Sequence, residues 1–261
     1  MIENITSPLT IGQSSSYYTL KEADGFASAN IEVMKWARPG FHGIKTPRAF
    51  WRERIMRLIV GVRSSTSADY ESRRRALQAA FDTPRDGLTW LKFATPGGLS
   101  LQTQVHLNSE IQAPLKAGEV TIGNFRIELI AEDPVFYSQT EDDDDITFAG
   151  GSGVVANDGN AAVYPVIRIH GSITDPVITN TTTGKTVSFT GLTIAAGRYV
   201  DIDMLNETIK YDDDTNYYSY ALLDDFWWLD EGNNTITISG SIGGSGDRKV
   251  TVTYRDGYLG I

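Results

Sequence analysis

The side chains able to do chemistry in this chain are few and scattered. There is no cysteine, which removes disulfides, thiolate zinc sites and any Cys nucleophile. The three histidines, His42, His106 and His170, lie far apart, and none falls in the H-E-x-x-H spacing that pairs two imidazoles on one helix face. They read as surface or packing histidines. No G-x-S-x-G elbow supplies a hydrolase serine. Gly184-Lys185-Thr186 ends like a phosphate loop, but Thr179 stands where the first glycine is required. Its surroundings also read strand–turn–strand, whereas a phosphate loop must open a helix. The acidic runs Asp142–Asp145 and Asp212–Asp214 offer oxygen ligands of the kind calcium takes. They lack the alternating spacing and glycine of a calcium loop, and adjacent carboxylates on an extended chain point to opposite faces. A solvated linker and a solvated turn fit them better. Paired carboxylates of a glycosidase would have to converge in space, and no sequence feature singles out a pair. The aromatic run Phe226-Trp227-Trp228-Leu229 is the last candidate. Trp227 and Trp228 could form a stacking platform for sugar rings. The better reading sends alternate residues into a core and turns the others toward a neighbouring subunit. The sequence therefore reads as no enzyme, with no catalytic, cofactor-binding or metal-binding residue.

The elements that would position these residues differ between the two halves. In the first, Ser67–Phe81 reads as a helix: Tyr70, Leu77 and Phe81 share a face, and Thr66 or Ser67 supplies an N-cap. Asp69 stands four residues before Arg73 and Glu71 four before Arg75, the favourable orientation for surface pairs. Thr83-Pro84 and Asp86-Gly87 end the element. Residues 54–62 are apolar enough for a strand buried on both faces, and Leu101–Leu107 and Phe125–Leu129 alternate as half-buried strands. Asn108–Val120, with Pro114 and Gly118, reads as a protruding hairpin whose edge can pair with a neighbour; Asn108, Ile111, Leu115 and Lys116 are its candidate contact residues. In the second half, seven β-branched or aromatic runs from Val166 to Tyr254 alternate with Gly, Asn and Asp clusters, the pattern of a β-sandwich of roughly 100 residues.

Charge divides the chain in the same place. Residues 1–140 hold 16 Lys and Arg against 14 Asp and Glu, a net of +2; residues 141–261 hold 7 against 19, a net of −12. The expected domains are thus 1–140 and 141–261. A total of −10 argues against nucleic acid as the main partner, since phosphate binding needs clustered basic residues. No apolar stretch approaches the ~20 residues needed to cross a bilayer, and the first residues lack the pattern of a secretory signal. A soluble product without membrane insertion is expected.

Several segments, in this order, resemble the distal tail protein family of siphophage-type tailed bacteriophages. They are Trp36–Gly43 (W-A-R-P-G-F-H-G), the strand ending Gly61-Val62 with Tyr70–Leu77 after it, and Phe125–Ser138 with its Asp-Pro-x-x-Tyr-Ser turn. Asn157-Asp158-Gly159 before Tyr164–Ile167, Asn180–Gly184, Ile202–Met204 and Asp225–Asn233 continue the match, although Asp230-Glu231 stands where the family has a proline-rich loop. The resemblance implies a mainly β chain: an N-terminal β-sandwich-like belt domain with one helix and a protruding hairpin, then a galectin-like β-sandwich. It implies a homo-hexameric ring at the distal end of the phage tail in the virion, made in the host cytoplasm. Its partners would be the tail tube protein, the tape-measure protein, a tail-tip or tail-associated protein and receptor-binding proteins. Arg73, Arg74 and Arg75 would then be kept off any open DNA channel, where they would slow the passing phosphates. The competing reading is a carbohydrate-binding adhesin module recognising host cell-wall polysaccharide.

Overall fold

A β-strand shows its two faces in alternate residues, and residues 54–63 use that property to build a one-sided core. Met56, Leu58, Val60 and Val62 are buried, whereas Arg57 and Arg63 are exposed and Ile55 and Ile59 half-buried. The strand is therefore buried on one face, and the two outward isoleucines gave it the apolar content of a central strand. The computed structural model describes residues 2–4, 9–12, 17–81, 88–112, 121–148, 151–212, 215–216, 221–223, 226–244, 246 and 248–261. The chain forms two units, Met1–Gln139 with Leu259–Ile261, and Thr140–Tyr258.

The first unit contains β1 (Ile2–Asn4), β2 (Leu9–Ile11), β3 (Tyr18–Asp24), β4 (Ile31–Val33), β5 (Trp36–Ala37), β6 (Ile44–Lys45), β7 (Ala49–Trp51), β8 (Arg54–Arg63), α1 (Ser67–Phe81), β9 (Thr89–Ala94), β10 (Ser100–Leu107), β11 (Ile122–Ala131) and β12 (Phe136–Ser138). Antiparallel pairing runs in the order β2-β1-β9-β10-β11-β8-β3, with β12 added to β10. Phe125, Ile127 and Leu129 of β11 lie on the inner face beside β8, and Tyr70, Leu77, Ala80 and Phe81 of α1 are buried. The helix spans the residues its periodicity predicts. Its cap is Thr66, whose hydroxyl accepts the Asp69 N–H at 3.2 Å. The expected Asp69–Arg73 and Glu71–Arg75 pairs do not form the surface pattern. Arg73 instead donates to the Arg63 carbonyl at 2.7 Å and lies over the Tyr17 ring, and Glu71 reaches Arg74 at 3.6 Å. A carbonyl at the end of β8 and an aromatic face hold the guanidinium better than a solvated carboxylate would. The predicted helix stop at Thr83–Gly87 lies outside the described residues.

The second unit contains β13 (Asp142–Thr147), β14 (Ser152–Asn157), β15 (Val166–His170), β16 (Ile173–Asn180), β17 (Lys185–Phe189), β18 (Thr193–Ile194), β19 (Tyr199–Asp203), β20 (Thr208–Tyr211), β21 (Thr215–Asn216), β22 (Ala221–Leu223), β23 (Gly232–Ile242), β24 (Lys249–Tyr254) and β25 (Gly257–Tyr258). One sheet runs β13-β24-β15-β19-β20-β21 and the other β14-β23-β16-β17-β22, with β18 on β16. Ile167, Ile169, Val200, Ile202, Val250 and Val252 of the first and Ile178, Val187, Ile236 and Ile238 of the second are buried, the alternating core of a sandwich.

The acidic run is not a linker. Asp142–Asp145 form most of β13, an edge strand in register with Thr251–Tyr254 of β24. Asp145 accepts from Lys249 at 2.7 Å and Thr251 at 2.6 Å, and Tyr254 donates to Asp144 at 3.1 Å. Charge on an edge strand also discourages unwanted pairing.

Candidate assembly surfaces

The most exposed apolar side chains sit on a feature that the sequence reading passed over. Between β3 and β8 the chain continues as a two-stranded arm. Arg52 N–H donates to the Asn30 carbonyl at 2.7 Å, Ile31 pairs with Trp51 and Val33 with Ala49, then Trp36 with Lys45 and Ala37 with Ile44. At the tip, Phe41 N–H closes a turn on the Arg38 carbonyl at 3.1 Å, and the left-handed backbone of the residues at 40 and 43 suits the glycines there. Every residue from 30 to 52 is exposed. Ile31, Val33, Trp36, Phe41, Phe50 and Trp51 are among them, with Phe41 at 74% and Trp36 at 58%. An isolated two-stranded hairpin is marginal in water, and apolar surface of this density marks an interface. The arm also carries Lys35, Arg38, Lys45, Arg48 and Arg52 against Glu32, a net of +4. Arg52 and Glu32 pair at 2.6 Å. The sequence signal was the apolar spacing on both sides of Pro39-Gly40, interrupted by the arm's two prolines and two glycines.

The predicted hairpin is seen only at its start. Leu107 pairs with Leu129 and Gln112 with Arg126, so four residues on one side lie opposite two on the other and Asn108–Ile111 bulge. Asn108 donates its side-chain amide to Glu128 at 2.6 Å, and Ile111 is half-buried. Leu115 and Lys116 lie outside the described residues. Below the bulge, the outer face of β3, β8 and β11 forms a groove of about 400 Å³ lined by Glu22, Asp24, Arg57, Ile59, Arg126 and Glu128, with Ser109 and Gln112 at its rim. Arg57 meets Glu128 at 2.8 Å, and these bonds, Arg57 first and Asn108 second, hold the Glu128 carboxyl below its usual range.

Behind this sheet Arg54 fills a position meant for an apolar residue. It is 1% exposed and donates to the carbonyls of Gly25 at 3.0 Å, Pro134 at 2.7 and 3.0 Å and Leu259 at 2.5 Å, with its guanidinium 4.2 Å from the Phe136 ring centre. Burial pushes its pKa down to about 10, which still leaves it charged near neutrality.

In the second unit, Trp227 and Trp228 part company. Trp227 is 0% exposed, so it is no surface platform; its indole N–H finds no acceptor among the described residues. Leu229 is also buried, which makes Trp227 and Leu229 the inward pair, although the segment is irregular apart from a bridge between Leu229 and Val163. Trp228 is half-buried: its N–H donates to Asp230 at 2.7 Å, Lys185 approaches its ring at 5.4 Å and Tyr164 meets it edge-on. Three buried asparagines fix this end of the sandwich. Asn180 donates to the Trp228 carbonyl at 2.9 Å, Asn234 to that of Asp230 at 2.8 Å, and Asn157 to that of Ala161 at 2.7 Å. Asn157 and Asn180 end β14 and β16, and Asn234 lies near the start of β23.

The outward face of β13, β24, β15 and β19 is polar around a depression of about 600 Å³. Arg168 makes two 2.7 Å bonds to Asp201, His170 contacts the Thr251 hydroxyl at 3.2 Å, and the bonds from Lys249 and Thr251 hold Asp145 low. Among the described residues no group of three or more His, Asp and Glu is set to hold a metal, and no helix is long and apolar enough to cross a membrane.

Residues 158–258 match the family described as siphovirus-type tail component, C-terminal domain. A comparison with curated proteins finds no match. Among solved structures the chain is similar to the SPP1 Dit (gp 19.1) protein, described as a paradigm of the hub adsorption apparatus in phages that infect Gram-positive bacteria. The TM-score is 0.76 at 17% identity, over 99% of this chain and 98% of that one. At that identity the likeness is one of fold. The phage P2 baseplate in its activated conformation with calcium gives a TM-score of 0.48 at 7% identity, over 92% of this chain and 91% of that one.

Proposed function

We propose that this chain, whose second unit belongs to the siphovirus-type tail component family and whose whole length carries the distal tail protein fold, forms a hexameric ring that joins the tail tube to the baseplate or tail tip. As a tail component its role is structural, and catalysis has no part in this reading. The first unit closes the ring, and the second holds tip or receptor-binding proteins at the distal end of the virion.

The observation that carries this reading is the arm. A basic hairpin with all of residues 30–52 exposed and four aromatic side chains on its surface needs a partner. Those aromatics are about half exposed, leaving on the order of 400–500 Å² for burial. The aliphatic residues and backbone bring this toward the roughly 800 Å² per partner of a standard interface. The adhesin alternative rested on Trp227 and Trp228. Trp227 is inside, and Trp228 is hemmed by Lys185 and Tyr164.

Native mass spectrometry and sedimentation of the purified chain, alone and with tube and tip proteins, test the proposal. A hexamer is expected in one of these mixtures. A chain that stays monomeric in all of them and binds wall polysaccharide with tryptophan quenching would make the adhesin reading the right one.

A further inference from the structure

We propose that the arm tip of one copy plugs the groove on the outer face of β3, β8 and β11 in the next copy. This rests on the self-assembly proposed above and adds the receiving surface and its occupant. A closed ring of identical chains needs two unlike surfaces that fit each other on every subunit. Arm tip and groove are such a pair.

Their chemistry matches. The tip presents Phe41, 74% exposed, with the Arg38 guanidinium 5.6 Å from its ring centre. The groove offers about 400 Å³, with Ile59 as apolar lining and the carboxylates of Glu22, Asp24 and Glu128 around it, three against the two guanidiniums of Arg57 and Arg126. A cavity of that size takes an aromatic ring and a guanidinium together. Glu128 is already held by Arg57 and Asn108, which leaves Glu22 and Asp24 to meet Arg38. Asp24 spends one oxygen on the Gly25 N–H at 2.8 Å and keeps the other. The arm's net of +4 favours an acceptor with carboxylates, and a charge-assisted bond to either one fixes the register of the contact. The groove of the same copy is not that acceptor. The arm leaves from the Asp24–Arg57 end of the strands that form it, yet every arm residue is exposed.

The cysteine-free sequence makes the test direct. One chain carries Phe41→Cys and another Ser109→Cys; they are mixed, allowed to assemble alone or with tail partners, and oxidised mildly. The expected product is the mixed disulfide dimer, with neither chain cross-linking to itself above background. Arg38→Glu is expected to weaken assembly at least tenfold, and Glu22→Arg with Asp24→Arg in the same chain to restore it. Rings that form without the mixed disulfide overturn the inference and leave the ring proposal standing. So does a chain carrying both cysteines that cross-links within itself, or an Arg38→Glu chain that assembles normally. Absence of any self-assembly, alone or with tail partners, overturns the ring proposal itself.

Discussion

Arg54 is a cation used as a fastener, and its removal is the sharpest test of the first unit. Four hydrogen bonds tie three separate carbonyls, at Gly25, Pro134 and Leu259, to one guanidinium packed on Phe136. Arg54→Met keeps apolar volume but strands those carbonyls, and about 3–5 kcal/mol of stability should go with them. A lower urea midpoint at unchanged slope would show it; Arg54→Lys should recover only part, because an ammonium cannot reproduce the planar fork. Asp256 gives a second test, with the opposite sign. Burial raises its carboxyl pKa above the ordinary 3.8, and repulsion from Asp142 and Asp158 adds to this, while the bond from the Asp158 N–H works against it. The folded state therefore holds this proton longer than the unfolded chain does. Stability is greatest below the unfolded pKa and falls as pH rises through the window up to the folded one. Asp256→Asn should raise the melting temperature at pH 7 and lose its advantage below about pH 4. Solvent screening keeps the gain small, about 0.5 kcal/mol. An equal gain at pH 3 would show that charge is not the cause.

At the scale of elements, what the sequence displays is what is locally encoded. The helix Ser67–Phe81 was legible because period, cap and apolar face lie within fifteen residues, and the seven strands from Val166 to Tyr254 because turn residues bracket each run. The breaks after Asn157 and Asn180 were legible as turns, whereas Gly232–Asn234, read as another break, begins β23. The grip of Asn180 on the Trp228 carbonyl was not legible, since those residues lie 48 apart in sequence, whereas Asn157 and Asn234 hold carbonyls only four residues away. β13 was misread because five successive acids suggest solvent. An edge strand needs only one neighbour, and Lys249, Thr251 and Tyr254 reach its carboxylates from β24. Of the candidate site residues, Asn108 lies at the groove through Glu128, while Trp227 turned inward because a sandwich end needed filling. Two substitutions separate these roles. Asn180→Ala removes the donor to Trp228 and the acceptor for Thr182 N–H, and should cost about 2–3 kcal/mol. Trp227→Ala should cost about 3–5 kcal/mol, and Trp228→Ala distinctly less. Thermal melts of the three variants check the order, and a larger loss at Trp228 would contradict the burial.

At the scale of the molecule, the arm separates folding from assembly, which is unusual for so many large apolar residues. Hydrophobic side chains ordinarily report a core, but residues 31–51 are exposed throughout and bury nothing that holds the first unit together. The core strands β3 and β8 pair up to Asp24–Arg57 without them. Replacing residues 31–51 with an Asn-Gly turn between Asn30 and Arg52 should therefore leave a folded chain. The two flanking residues already pair, an Asn-Gly turn matches the twist of a hairpin, and the shorter loop costs slightly less entropy to close. The expected stability change is within about 1 kcal/mol. Removing four aromatics and a net charge of +3 should abolish the oligomer and raise solubility. The intact chain should also assemble less readily in high salt, by a modest amount, since the arm combines exposed charge with apolar contact. Circular dichroism with sedimentation decides the matter in one preparation. A folded monomer assigns the arm to assembly; an unfolded chain would make it part of the core, and a shortened chain that still forms rings would place the interface elsewhere.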